Sequence, residues 1–340
     1  MKYIHVYTLF LMSFFLPSCG QTQTNVPQDI IKSSRENYSD SVYKAAVTSK
    51  VPISMVRNVK QDRNGNILIA SYLGVFRYDG TSFTNLTSKI SSPRFSSFWD
   101  VLEDRKGNLW FASADSGVYH YNGKSFQHFT TKDGLASNIA LHIYEDRSGN
   151  IWFGASRYDG KSFRNFTTKD GFPSNSIRLL LEDKTGKLWF GAQGENMFVY
   201  DGKTFTVLKN KDGKAFNNVW SIIEDKRGNI WFGDVDGLWR YDGRTFTKVS
   251  QRGAYAIIED KKGNIWTTGG VNPNVWTLSR YDQKSLYNKE PTVTEIMSGQ
   301  PGLLGLLEAN DGSIWFGSTG DVYRYDGKTI TDFKNSAGQK

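Results

Sequence analysis

Between residues 51 and 335, short runs of alternating apolar and polar positions are separated by turn residues, and the whole pattern recurs. The clearest unit is Glu103-Asp104-Arg105-Lys106-Gly107-Asn108-Leu109-Trp110-Phe111. Equivalent units start at Gln61, Glu103, Glu145, Glu182, Glu224, Glu259 and Glu308, with spacings of 42, 42, 37, 42, 35 and 49 residues. Such a period with several short strands per unit predicts propeller blades, and the long 3.6-residue periodicity of helical repeats is missing. The expected fold is all-β: a seven-bladed β-propeller of four-stranded antiparallel blades over residues 49–340.

Blade 2 shows the layout. Strand A is predicted over Phe98–Glu103, strand B over Asn108–Ser113, strand C over Val118–Tyr121 and strand D over Phe126–Phe129. Asp104-Arg105-Lys106-Gly107 predicts a type I turn between A and B, closed by a glycine that takes positive φ. Asp-Gly at Asp79, Asp159, Asp201, Asp242 and Asp326, with Asn122-Gly123 as its equivalent, predicts a two-residue hairpin between C and D. Asp282-Gln283 breaks this pattern, so blade 6 turns differently. A tryptophan recurs at Trp110, Trp152, Trp189, Trp231, Trp266 and Trp315, with Leu68 in blade 1. One large ring per blade fills the wedge between neighbouring sheets. Blade 1 begins with its own strand A, and blade 7 ends with its own strand D. Closure by side-chain packing is therefore expected, with an added strand from residues 37–48 as the alternative.

The composition agrees with this pattern. The chain is 38 % hydrophobic and 14 % aromatic with 33 glycines, which suits short strands and tight turns and excludes global disorder. A net charge of +8 permits contact with anionic lipid or polyanions. The cations recur with the repeat instead of forming a basic stripe, so no nucleic-acid partner is expected. At the start, Lys2 precedes an apolar run from Leu9 to Leu16 that is too short to span a membrane. Leu16-Pro17-Ser18-Cys19 follows. It resembles a bacterial lipobox, although Pro17 departs from the small residue usual there. The resemblance implies a lipoprotein signal peptide over residues 1–18, a lipidated Cys19 with a flexible polar spacer over 19–48, and the propeller over 49–340. The implied location is the cell envelope, lipid-anchored at the outer membrane, on its periplasmic side or its surface. Cys19 is the only cysteine, so no intrachain disulfide forms.

The segments E-D-R-x-G-N-I-W-F-G, R-Y-D-G-K-S-F and F-T-T-K-D-G-L-A-S-N resemble the two-component regulator propeller repeat. Blades 2 to 5 match best, and the resemblance covers about residues 51–335. It implies an extracytoplasmic sensor propeller, and because members of the family sense oligosaccharides, it implies an oligosaccharide ligand. This chain departs from the family in stopping after its seventh blade, so the expectation is a sensor-like module without its own signalling domain. Fold analogy alone does not establish a function.

In a propeller the A–B and C–D turns share one face, while the B–C and D–A loops share the other. The regular turns fall on the first face and the irregular loops on the second. Blade 3 leaves only Ala155-Ser156 between B and C, and blade 6 enlarges its B–C loop to Thr267–Ser279, which contains Trp276. Binding loops are expected where variation concentrates. Four residues before the repeat Glu, on the innermost strand, one slot reads Arg57, Trp99, Leu141, Arg178, Trp220, Tyr255 and Leu304. Aromatic platforms beside arginines suit sugar rings with carboxylate or sulfate groups, through stacking and bidentate pairing. The candidate ligand-binding residues are thus Arg57, Trp99, Arg178, Trp220, Tyr255 and Trp276, with packing between blades as the alternative use. The A–B turn cations, such as Arg63, Arg105 and Lys226, suggest either a face toward anionic lipid or a solvated surface.

No catalytic set is legible. There is no G-x-S-x-G elbow and no metal-type histidine spacing. Asp104 and its equivalents recur as turn residues, which argues for structure. No metal and no cofactor are expected, and among the histidines His142 lies on a strand A. An envelope protein–protein scaffold and a propeller hydrolase or lyase stand as the alternative functions.

Overall fold

In the computed structural model, the described residues are 51–52, 54–88, 90, 96–172, 178–191, 194, 196–234, 237–272, 275–299 and 302–333. They belong to one unit, Tyr43–Lys340. The leader, Cys19, the spacer and the alternative closing strand lie outside the described residues.

Strand B explains how the sheets stack. Its sequence is apolar at successive positions, as in Ile230-Trp231-Phe232, because both faces of each sheet are covered. Side chains alternate along a strand, so Trp231 points one way and its neighbours the other. Trp231 packs with Leu238 of its own blade against Ala254, Ile257 and Ile265 of blade 6. Ile230 and Phe232 pack back against Leu180, Trp189 and Met197 of blade 4. The same alternation recurs round the molecule. The result is seven four-stranded antiparallel sheets, each from one contiguous stretch in A-B-C-D order, with a buried cluster at each of the seven seams between blades.

The seam between blades 7 and 1 closes as expected, by packing. Trp315, Val322 and Ala309 of blade 7 join Val56, Ile67 and Phe76 of blade 1, and Val56 N–H donates to the Ser318 carbonyl at 2.8 Å. No strand is exchanged among the described residues.

The A–B turns form as the sequence predicts. Gly107 has φ +86, and its N–H donates to the Asp104 carbonyl at 2.9 Å. The Asp104 carboxylate accepts from Lys106 N, Asn108 N and the Asn108 amide, and also from Trp110 Nε1 at 2.9 Å. The recurring Asp therefore caps its turn and anchors the wedge tryptophan. Trp152, Trp189, Trp231 and Trp266 make the same bond at 2.8–2.9 Å. Blade 7 has Ala309 in place of the Asp, and Trp315 Nε1 donates instead to Ser313 Oγ at 3.1 Å.

The C–D connections are four-residue loops, not the expected two-residue hairpins. Tyr78 pairs with Phe83, leaving residues 79–82 in the loop. The Asp79 side chain accepts from the N–H groups of Thr81 and Ser82, and Tyr78 OH donates to the Gly80 carbonyl. These side-chain bonds stabilise the longer loop, as aspartate does in Asx turns. In blade 6 the loop runs from Asp282 to Thr292. Its Tyr287 lies 4.6 Å from the guanidiniums of both Arg227 and Arg240.

The repeat Glu and the first turn cation join neighbouring blades. Glu103 accepts from Arg63 N–H of the preceding blade, and Glu145, Glu182, Glu224, Glu259 and Glu308 do the same, at 2.7–3.0 Å. Each turn cation then donates to a turn carbonyl of the next blade, for example Arg63 to Asp104 O at 2.7 Å and Lys226 to Asp260 O at 2.8 Å. These basic residues therefore form inter-blade latches while their side chains stay about half exposed. At the closing seam the latch is neutral: Asn310 N–H donates to Gln61 Oε1 at 2.9 Å.

Candidate functional site

Strand A is innermost and starts on the loop-rich face, so its first residues surround the channel mouth. The seven slot residues all lie there, within or one or two residues before strand A. Arg57 of blade 1 lies over the Trp99 ring of blade 2, 4.0 Å from its centroid. Arg178 of blade 4 lies over Trp220 of blade 5 at 4.6 Å. Trp220 approaches Tyr255 of blade 6 at 6.0 Å, and Tyr255 stacks on Trp276 at 4.5 Å and 30°. The structure thus brings the six candidates together as a two-residue clamp and a four-residue ladder. Leu141 and Leu304 separate them.

Trp276 is not in a loop. The expected enlarged B–C connection of blade 6 is taken up by long paired strands, strand B over Ile265–Asn272 and strand C over Val275–Tyr281, with a register shift between Gly270 and Asn272. Gly269 permits it, because a Cβ there would fall 1.7 Å from the Gly253 carbonyl oxygen. Blade 3 does the opposite: strand B ends at Phe153 and strand C begins at Ser156, so the link is Gly154-Ala155.

Burial sets the electrostatics. Arg178 is 9 % exposed, and burial lowers its guanidinium to about 10. Burial likewise lowers Arg57 to about 10, with Tyr72 opposing. Both stay charged at neutral pH. The Arg57 Nε is buried without a hydrogen-bond partner. A buried cation without full hydrogen bonding is costly, and a flat indole face offsets only part of that cost.

One residue further along strand A lies a group that the slot pattern did not identify. Asp100, fully buried, accepts from the Asn58 amide at 2.7 Å and from Ile143 N–H at 2.9 Å. Lys60 Nζ and His142 Nε2 each lie 4.0 Å from its carboxylate. Asp100 therefore ties blades 1, 2 and 3 together beneath the mouth. Its signal in the sequence was an acidic residue at a strand A position where other blades carry Leu179, Ala256 or Gly305. Among the described residues, no group of three or more His, Cys, Asp or Glu is placed to hold a metal ion, and no helix is long and apolar enough to cross a membrane.

On the opposite face, a cavity of about 160 Å³ lies between blades 5 and 6, beside Tyr287. Latch and turn residues line it, and its Lys226 and Lys261 ammonium groups are already bound to backbone carbonyls.

Comparison with known proteins agrees with the repeat pattern. The two component regulator propeller model matches residues 134–157, 171–194 and 213–236. No curated protein matches the sequence. The fold is similar to the extracellular domain of a hybrid two-component system from B. thetaiotaomicron, with TM-score 0.66 and 21 % identity over 81 % of this chain. This chain spans only 39 % of that domain. Streptogramin B lyase has TM-score 0.62 and 14 % identity, covering 83 % of this chain and 95 % of the lyase. PorZ, a surface component of the type-IX secretion system of Porphyromonas gingivalis, has TM-score 0.61 and 14 % identity, covering 80 % of this chain and 46 % of PorZ. At these identities the likenesses establish the fold alone. Seven sheets and the matched segments together make this chain a seven-bladed β-propeller that carries two-component regulator propeller repeats.

Proposed function

We propose that this propeller is an exported, lipid-anchored binding module that takes an oligosaccharide at its channel mouth, in the manner of a sensor domain. The observation that carries this reading is the arc of Arg57, Trp99, Arg178, Trp220, Tyr255 and Trp276, drawn from different blades to one rim. Concave rims with a few aromatic and charged groups are the usual form of a ligand site. The signal-peptide pattern and the extracellular setting of the sensor domain it resembles support export. Lipidation at Cys19 would hold the module at the envelope.

A glycan-array screen of the mature chain tests the binding reading, with Trp99→Ala/Trp220→Ala as the comparison. Binding by the wild type that the folded double variant loses supports it. An array without a single binder sinks it, and an envelope-protein scaffold then becomes the leading reading. For the anchor, Cys19→Ser must abolish fatty-acid labelling in a bacterial host.

A further inference from the structure

Resting on that reading, we infer that the ligand is an acidic oligosaccharide, held through its oxyanions by the N–H edges of Arg57 and Arg178 and not by stacking on Trp99 and Trp220. One face of each of these indoles is already in use. Arg57 covers Trp99, Arg178 covers Trp220, and Tyr255 covers Trp276. A guanidinium over a ring face can still offer its rim of N–H donors, and that planar fork matches a carboxylate or sulfate.

Among the described residues, neither rim guanidinium has a carboxylate beside it, and burial lowers both. The Arg57 Nε has no acceptor. Several cations elsewhere in the fold are paired: the latch arginines sit beside Glu103, Glu145 and Glu182, and Arg252 and Arg324 pair with Glu295 and Asp311, whereas Arg157 and Arg280 share with Arg57 a ring contact and an unbonded Nε. An anionic ligand would supply what the rim lacks. The two arginines lie three blades apart in a seven-bladed ring, on opposite sides of the mouth. A chain bearing at least two oxyanions, laid across the opening, engages both.

The test is binding of the full chain to three length-matched sets: unsulfated uronate oligomers, sulfated oligosaccharides on a neutral backbone, and neutral oligosaccharides. We expect binding to an acidic set alone, weakening as salt rises. Arg57→Gln and Arg178→Gln should each weaken it about tenfold or more, the usual size of a charged hydrogen bond, and the double variant should lose the product of the two. Arg57→Lys/Arg178→Lys keeps charge and stacking but loses the fork. It should fold with the wild-type melting profile and bind more weakly, which keeps the test decisive if a Gln variant unfolds. The set that binds distinguishes carboxylate from sulfate. Binding to neutral oligosaccharides, unchanged in the arginine variants, overturns this inference and leaves the oligosaccharide reading standing. Acidic binding that ignores both arginines also overturns it. A protein that binds none of the three sets overturns both.

Discussion

Replacing Asp104 with alanine removes a single acceptor that serves one turn and one wedge tryptophan. In the folded chain its carboxylate takes bonds from Lys106 N, Asn108 N, the Asn108 amide and Trp110 Nε1. The turn donors are near solvent and can turn to water. Trp110 is 3 % exposed, so its indole N–H is stranded. A buried donor left without a partner costs about 1–3 kcal/mol, and loss of a turn cap about 1 kcal/mol more. A total of about 3 kcal/mol corresponds to a fall in Tm of roughly 5 °C for a domain of this size. Blade 7 contains the natural repair, because Ala309 stands at this position and Ser313 Oγ receives the Trp315 N–H. Asn108 is the equivalent of Ser313. The double variant Asp104→Ala/Asn108→Ser should therefore recover part of the loss, although each change alone removes a polar contact. Calorimetric melting of the three variants is the assay. Equal Tm for Asp104→Ala and wild type, or a double variant no better than the single, would refute the reasoning.

Three other outcomes are expected. Gly233→Ala should be strongly destabilising, because its Cβ would fall 2.0 Å from the Ala254 carbonyl oxygen of the next blade; a variant that melts with the wild type contradicts the close approach of strands at that seam. Hydrogen bonds from the turn N–H groups hold the carboxyls of Asp79, Asp159, Asp201 and Asp242 below the usual carboxylate range, and Asp326 at about 2. Depressed folded values mean that their contribution is complete above about pH 4 and fades between about pH 4 and 2, so stability should fall as pH drops through that window; melting that is flat there is the contrary result. Gln61→Glu/Asn310→Lys should convert the closing latch to the form used at the other seams and raise stability by at most about 1 kcal/mol, since such half-exposed pairs are screened. A lowered Tm in that variant would show that the neutral latch is the better fit.

Much of the fold was legible because its signals are local. A turn glycine, an aspartate cap and a strand of the form Ile-Trp-Phe each act within a few residues, and seven copies reinforce one another. The slot of Arg57, Trp99, Arg178, Trp220 and Tyr255 was legible for the same reason, since equal spacing from the repeat Glu places residues at equal height. Contacts between blades were not legible. The partner of Glu103 is Arg63, forty residues earlier, and period alone does not reveal that a glutamate faces the previous blade. Nor does it show that Arg57 lies over the Trp99 ring and takes up one of its faces. The C–D loop is longer than Asp-Gly signals because the aspartate also caps the N–H of the Thr or Ser three residues after it, which extends the loop by one more pair of residues.

The carboxamide latch at the closing seam bears on how the chain counts. Six seams are joined by a glutamate and a lysine or arginine turn, so those blades are close to interchangeable as docking partners. A chain of near-identical modules risks closing one blade too early, or accepting the first blade of another copy before its own arrives. Blade 1 carries Gln61 where later blades carry glutamate, and blade 7 carries Asn310 where earlier blades carry a cation. If blade 6 closed on blade 1, the charged side chain of Lys261 would meet a neutral amide in place of its carboxylate. The two ends therefore carry a matched label that the internal blades lack, and it marks seven as the number at which the ring shuts.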